Sequence, residues 1–392
     1  MRTRRLNLCP YISNDFIART SPYIVELASK LYSVGTNRDS YAVPKRPSKE
    51  ASLSLSLCVT VTVSEFFKLR DNLPAIDVRS EGEFADGHIP GAVNIPILND
   101  EERKAVGTDY KHKGQLEAIK TGFRLVGPRI LDIVNQAEQV AAGRELLVHC
   151  WRGGMRSSNF CQFIGMARIK SHQLAGGYKA YRTHVLESLG MPLTLRIVGG
   201  YTGSGKSEVL RALAARGEQV IDLEALANHK GSVFGGLMMP PQPSAEQFQN
   251  DLFEHIRRLD PARPIWIEDE SITIGKLVLP DPFWKTMCNS PIIALEVDRV
   301  TRVQRLVNEY GGADKDDFLE AMSSIVKKLG GQHFQAAKEK LLAGDMASTI
   351  DILLTYYDKA YGMGLSKKQH RVSRKVAWDG SDINELAASL VL

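Results

Sequence analysis

The chain is poor in cysteine, with only Cys9, Cys58, Cys150, Cys161 and Cys288 in 392 residues. The number is odd, the spacing is wide and no CxxC occurs. That argues against a disulfide framework or a cysteine-based zinc site and for thiols in a reducing compartment. Long apolar runs are also missing. The longest candidate, around Leu53–Val63, is broken by Ser and Thr and falls short of the roughly 18 residues a membrane helix needs. Charge of one sign is scarce too. The net charge is +5, and residues 1–60 hold nine Lys/Arg against four acids, so the remaining residues balance to zero. Overall charge therefore gives no support for a nucleic-acid partner, which would need a local basic patch. Hydrophobic residues at 43% and charged residues at 24% exclude global disorder, collagen and coiled coil.

The length predicts two or three domains. Residues 1–61 read as an extension that is poorly ordered or dispensable. They are Arg- and Ser-rich, and Tyr41–Glu50 carries loop punctuation. No apolar stretch follows the basic start, as a secretory signal would require. The composition fits an organelle transit peptide loosely and an early start codon as well; the expected location is the cytoplasm. From residue 62 the pattern is α/β. Ala75–Val78 and Leu146–Cys150 read as buried strands, and Ser157–Ala167 and Tyr178–Leu189 as helices. Leu174 is expected to begin a short segment stopped by Gly176-Gly177. Gly190-Met191-Pro192 marks a boundary between domains at 62–189 and 190–392. Beyond it, Leu195–Val198, Val220–Asp222, Pro264–Ile267 and Ile292–Val297 are short apolar runs, and three of them lead to an acid (Asp222, Glu268, Asp298). Strands alternating with helices predict a parallel sheet with ligands at the carboxyl ends. The tail from Asp317 reads as helical and ends in the basic stretch Lys367–Lys375.

Two segments carry chemistry. Cys150-Trp151-Arg152-Gly153-Gly154-Met155-Arg156-Ser157 joins a strand to a helix. Its glycines let successive N–H groups converge before the sulfur, the helix adds its positive end, and Arg152 and Arg156 add charge. Such a pocket lowers a thiol pKa and holds an anion beside the sulfur. The second segment, Gly200-Tyr201-Thr202-Gly203-Ser204-Gly205-Lys206-Ser207, fits GxxxxGK[ST] between an expected strand and an expected helix. Its amides would cradle a phosphate chain, Lys206 would neutralise it and Ser207 could hold Mg²⁺. Asp222 and Glu268, with Asp269 and Glu270 beside it, are candidates for metal or water contacts. Nothing in the loop specifies adenine or guanine, and another diphosphate ester would satisfy it equally.

Asp77-Val78-Arg79, Glu83-Phe84 and Gly87–Pro96 (GHIPGAVNIP) resemble the early signature of rhodanese domains. The resemblance covers about residues 62–189 and implies that Cys150 carries the transferred atom. Five residues separate Cys150 from Arg156, where many rhodanese loops have four. That spacing resembles rhodanese-fold phosphatases and leaves phosphatase chemistry open.

A rhodanese-like domain directly upstream of a P-loop NTPase-like domain with a helical C-terminal part resembles the tRNA 2-selenouridine synthase family. Asp100–Thr108, Asp222–Ser232, Glu268–Ser271 and Tyr356-Tyr357-Asp358 add to the likeness, which covers about residues 62–378. The resemblance implies replacement of sulfur by selenium in wobble 2-thiouridine through an S-geranyl intermediate. Geranyl diphosphate and selenophosphate would be co-substrates. No tightly bound cofactor is implied beyond Mg²⁺. The implied partners are the tRNA anticodon loop and an enzyme supplying selenophosphate, with no membrane, for a monomeric transferase. Arg152, Gly153, Gly154 and Arg156 would hold selenophosphate. Lys111–Lys113, Lys327-Lys328 and Lys367–Lys375 are candidate tRNA contacts, and Trp151 a candidate base stacker. A rhodanese-type sulfurtransferase coupled to a nucleotide-hydrolysing module is the alternative.

Overall fold

The computed structural model describes residues 57–391. Of the extension expected at 1–61, residues 1–56 lie outside the described residues, and with them the question of targeting. No helix among the described residues is long and apolar enough to cross a membrane.

The first lobe is a five-stranded parallel sheet in the order β1-β5-β4-β2-β3. Its strands are β1 (Cys58–Val61), β2 (Ala75–Asp77), β3 (Val93–Asn94), β4 (Leu146–His149) and β5 (Ser171–Leu174). β2 and β4 are buried at every position. Helices cover both faces of such strands, so they read as unbroken apolar runs rather than alternation. Leu174 ends β5 instead of opening a new segment. The Gly176-Gly177 turn then starts the helix Gly177–Ser188. Between β3 and β4 the chain inserts three helices, Asp100–Lys113, Gln115–Val126 and Ile130–Ala141, the first of them highly charged. The first starts on a reciprocal cap: Asn99 Oδ1 accepts from Glu102 N–H, and Glu102 accepts from Asn99 N–H.

The second lobe is also parallel, ordered β12-β11-β6-β8-β7. β6 (Leu195–Gly200) is central, flanked by β8 (Ile265–Glu268) and β11 (Ile292–Glu296), with β7 (Gln219–Ile221) and β12 (Val372–Ala377) at the edges. A small antiparallel hairpin, β9 (Thr273–Ile274) and β10 (Leu277–Val278), follows β8. From β6 the chain crosses to one side first and to the other later. That reversal leaves a crevice beyond the carboxyl end of β6. The C-terminal region is helical from Lys315 to Lys367, as the sequence suggests. The basic stretch does not stay outside the sheet, however, because residues 372–377 pair in parallel with β11. Only two of the six positions of β12 are even half-buried. An edge strand of this kind has no apolar run to announce it.

The two lobes share one hydrophobic core. Phe66, Tyr178, Tyr181 and Val185 of the first pack in one cluster with Phe248, Leu252 and Ile267 of the second. The seam lies between helix Gly177–Ser188 and helix Ala245–Ile256. Tyr178 Oη donates to Glu246 Oε1 at 2.7 Å and accepts from Asn250 Nδ2 at 2.8 Å. Arg182 donates to Asn250 Oδ1 at 2.6 Å, and Arg70 pairs with Glu254. Asn250 and Glu254 are buried, and each has partners from the other lobe. The boundary at Gly190–Pro192 is thus a chain connection, with packing continuous across it.

Candidate functional site

The cysteine loop is built on strand ends. β2 and β4 pair so that Asp77 lies opposite His149, which brings Arg79 and Cys150 to the same edge. Arg79 is fully buried and grips Asp77, with Nη2 2.8 Å from Oδ2 and Nε 2.9 Å from the same oxygen. Burial works against the Asp77 carboxylate, but His149 and Arg79 hold its pKa below the usual range. The Arg79 guanidinium lies over the Tyr178 ring, 3.9 Å from its centroid. Tyr178 N–H donates to Cys150 O at 2.8 Å and Lys179 N–H to Trp151 O at 2.9 Å. The rhodanese-like signature at 77–79 is therefore a support beneath the loop rather than a group facing the ligand.

Gly177 makes the close approach possible. Its φ is +58°, and a Cβ there would overlap Cys150 O and lie 2.5 Å from Gly153 N. The sulfur of Cys150 is 3.2 Å from Ser157 Oγ, and Gln173 Nε2 donates to both Gly153 O (2.8 Å) and Ser157 Oγ (2.9 Å). Among the described residues, no partner takes the N–H groups of Trp151 to Met155. Five consecutive donors, with helix Met155–Met166 beginning at Gly154, make an anion-binding concavity beside the sulfur. Cys150 itself is only 3% exposed.

The two arginines of the loop differ. Arg152 is exposed and has no ion-pair partner among the described residues. Arg156 is bound by Glu83, with Nη1 2.5 Å from Oε2 and Nη2 3.1 Å from Oε1. It positions the loop in this arrangement and would have to leave Glu83 to hold an anion. Trp151 is half-buried, 5.7 Å from the Tyr178 ring and tilted against it. Its indole packs on the shared core.

The phosphate loop follows β6, and helix Lys206–Ala215 follows the loop. Gly205 has φ +83°, and a Cβ there would meet the Arg305 guanidinium at 2.5 Å. The N–H groups of Gly203, Gly205, Lys206 and Ser207 have no partner among the described residues. Lys206 Nζ lies 3.4 Å from Gly200 O, folded over the loop, and Ser204 is buried. Arg302 braces the loop from behind. It donates to Thr202 O at 3.2 Å and pairs with Asp358 at 2.7 and 2.9 Å.

Acids surround the cradle. Ser207 Oγ donates to Glu224 Oε2 at 2.7 Å, and Glu224 N–H donates to Glu268 Oε1 at 2.8 Å. Burial pushes the Glu268 carboxyl well above the usual range, and Asp222, Glu224 and Glu270 push it further. Glu270 is raised to about 8, first by burial and then by Glu224. Asp222 is spent as the cap of residues 223–227, accepting from Ala225 N–H at 2.8 Å. Lys368 neutralises Asp269 at 2.7 Å. Glu224 is the carboxylate nearest Ser207, and sequence reasoning assigned it no role. Its signal is weak: an acid three residues past the end of a strand. Among the described residues no group of three or more His, Cys, Asp or Glu converges as a metal cage.

The basic stretch at 367–375 is largely consumed internally. Arg371 donates to Ser290 O at 3.0 Å, Arg374 to Ser389 O at 2.9 Å, and Lys375 pairs with Glu296 at 2.8 Å. Lys111, His112, Lys327 and Lys328 remain exposed.

A cysteine loop with unpartnered amides on one parallel sheet, and a phosphate loop on a second sheet fused to it, define a rhodanese-like domain joined to a P-loop domain. Residues 62–184 match the rhodanese-like domain model, and residues 193–388 match the model of the tRNA 2-selenouridine synthase AAA domain. The tRNA 2-selenouridine synthase of Shewanella denitrificans is 36% identical over 335 residues, covering 76% of this chain and 90% of that protein. Those of Nitrosomonas europaea (35% over 314 residues, 68% and 80%) and Marinobacter nauticus (35% over 343 residues, 77% and 91%) are similar. The chain belongs to the tRNA 2-selenouridine synthase family.

Proposed function

We propose that this protein converts 2-thiouridine in tRNA to 2-selenouridine in two stages, one at each loop, with geranyl diphosphate and selenophosphate as co-substrates. The observation that carries the reading is the presence of two separate anion cradles in one compact unit, only one of them next to a thiol.

In the first stage geranyl diphosphate lies with its phosphates on the amides of Gly203, Gly205, Lys206 and Ser207. The thiocarbonyl sulfur attacks C1 of the prenyl chain. The C1–O electron pair leaves with diphosphate, and the N3 proton of the base is released. Lys206 stabilises charge that grows on the leaving oxygens. Ser207 and Glu224 would supply hard oxygen donors that suit Mg²⁺, which would add further charge neutralisation at the diphosphate. Burial raises the pKa of both the Glu268 and Glu270 carboxyls, which weakens their repulsion of the diphosphate.

Alkylation turns the sulfur into a leaving group. In the second stage selenophosphate sits on the amides of Trp151–Met155, with Arg152 free to reach its oxygens. Its selenium adds to C2 of the base and the geranyl thiolate leaves. Water then takes the phosphorus, giving phosphate, geranyl thiol and the selenocarbonyl. Cys150 and Ser157 line the selenium end of that pocket.

The two stages separate by mutation. Lys206→Ala should lower prenyl transfer to 2-thiouridine by two orders of magnitude or more and leave selenation of an already geranylated stem-loop intact. Cys150→Ala should do the reverse. Nucleoside mass spectrometry reads both, and undiminished geranylation by Lys206→Ala would sink the assignment of the phosphate loop.

A further inference from the structure

The cavity over the phosphate loop, about 630 Å³, is lined by Gly203, Gly205, Lys206 and Ser207 of the loop, by charged side chains such as Lys230 and Glu309, and by Met239, Leu306, Tyr310 and Tyr357. A smaller pocket of about 30 Å³ adjoins it and shares Thr202, Ser232, Leu306, Tyr310 and Tyr357 with the main cavity. Its inner residues are Phe234, Phe318, Ile350, Leu353 and Leu354, all nearly inaccessible and all in the core of the helical C-terminal region. None of the five has a side-chain donor or acceptor. The Tyr357 hydroxyl at the mouth is buried with no partner.

From the main cavity into the small pocket the lining passes from the hydroxyls and rings of Thr202, Ser232, Tyr310 and Tyr357 to hydrocarbon. A nucleoside base would meet no group that answers its hydrogen-bonding edge in that inner wall. The end of an isoprenoid hydrocarbon chain would meet only matching surface. The free volume of the inner pocket is about that of one water in the liquid. Only the last part of a chain can enter it, while the rest lies along Leu306 and the tyrosine rings.

We propose that the small pocket receives the terminal methyl end of a prenyl diphosphate whose phosphates sit on the phosphate loop, and that Ile350 and Leu353 in its lining set the chain length. This inference rests on reading the phosphate loop as a prenyl-diphosphate site. It makes the helical C-terminal region a specificity element, beyond its packing role.

The test is a competition. The full-length protein is given a 2-thiouridine anticodon stem-loop and equal concentrations of dimethylallyl, geranyl and farnesyl diphosphates, and the nucleoside masses are counted. The wild type should yield mainly the geranyl product. Leu353→Ala should raise the farnesyl-to-geranyl ratio about tenfold or more, and Ile350→Phe should raise the dimethylallyl-to-geranyl ratio to a similar degree, in line with the discrimination a few methylenes provide. Leu353→Val, a smaller deletion, should move the ratio the same way by a lesser amount. Each ratio is measured within one sample, so a reduced folded fraction does not alter it. Ratios within twofold of wild type in all three variants, alongside normal wild-type geranylation, would overturn the pocket assignment alone. A wild type that transfers no prenyl group from any of the three would overturn the underlying reading and the pocket with it.

Discussion

Replacing Gly177 by alanine tests how the cysteine loop is held. At φ +58° an L-residue costs about 1–2 kcal/mol. The new Cβ would overlap Cys150 O, and would lie 2.5 Å from Gly153 N and 3.0 Å from Arg152 C. All three are backbone atoms, so nothing can rotate away and the two segments must part. Parting them stretches the bonds from Tyr178 N–H to Cys150 O and from Lys179 N–H to Trp151 O, now 2.8 and 2.9 Å, each worth about 1 kcal/mol net. The total is about 3–4 kcal/mol, a large loss for a single substitution. The control is Gly91→Ala, which has φ +80° and nothing within 4 Å of the added atom. It bears the backbone strain alone, about 1–2 kcal/mol. Urea unfolding should therefore separate the two variants by about 2 kcal/mol. A loop displaced by about 1 Å should also lose about a hundredfold in the selenation stage, while geranylation by the folded fraction stays near wild type. Equal midpoints for the two variants, with selenation intact in Gly177→Ala, would refute the argument.

His149 should give the fold a pH dependence. It is fully buried, neither ring nitrogen has a hydrogen-bond partner, and burial pushes its pKa down to about 4. The unfolded chain takes up a proton near pH 6.5 and the folded chain does not, so this residue's contribution is complete above pH 6.5 and declines as pH falls toward 4. Between pH 7 and pH 5 the loss is about 2 kcal/mol. His149→Asn should flatten that part of the urea-midpoint profile, and an unchanged slope would count against it. At the seam, Tyr178→Phe removes the hydroxyl that meets both Glu246 and Asn250. It leaves Asn250 buried one partner short, for a cost of about 1–3 kcal/mol by urea unfolding. A neutral result would mean the two lobes do not depend on that contact.

Much of the architecture was legible because parallel strands covered on both faces write themselves as short apolar runs. Ala75–Val78, Leu146–Cys150 and Leu195–Val198 are of this kind, and both chemical loops follow directly from strand ends. What was not legible depends on partners far away in the chain. Arg156 looks like a free anion ligand until Glu83, 73 residues earlier, is found on its guanidinium. Lys368, Arg371, Arg374 and Lys375 look like an RNA patch until each is seen to have an internal partner. β12 is nearly all exposed and is defined only by β11 beside it. Glu224 and Arg302 carry no local motif. Their roles come from Ser207, and from Thr202 and Asp358, which only the fold brings within reach.

The most direct test of two anion cradles serving two successive stages is one reconstitution with the purified protein and an anticodon stem-loop carrying 2-thiouridine. Geranyl diphosphate alone should add a prenyl mass to the nucleoside, and adding selenophosphate should convert that product to 2-selenouridine. Formation of 2-selenouridine from selenophosphate with geranyl diphosphate absent, at the same rate as with it, would contradict the account.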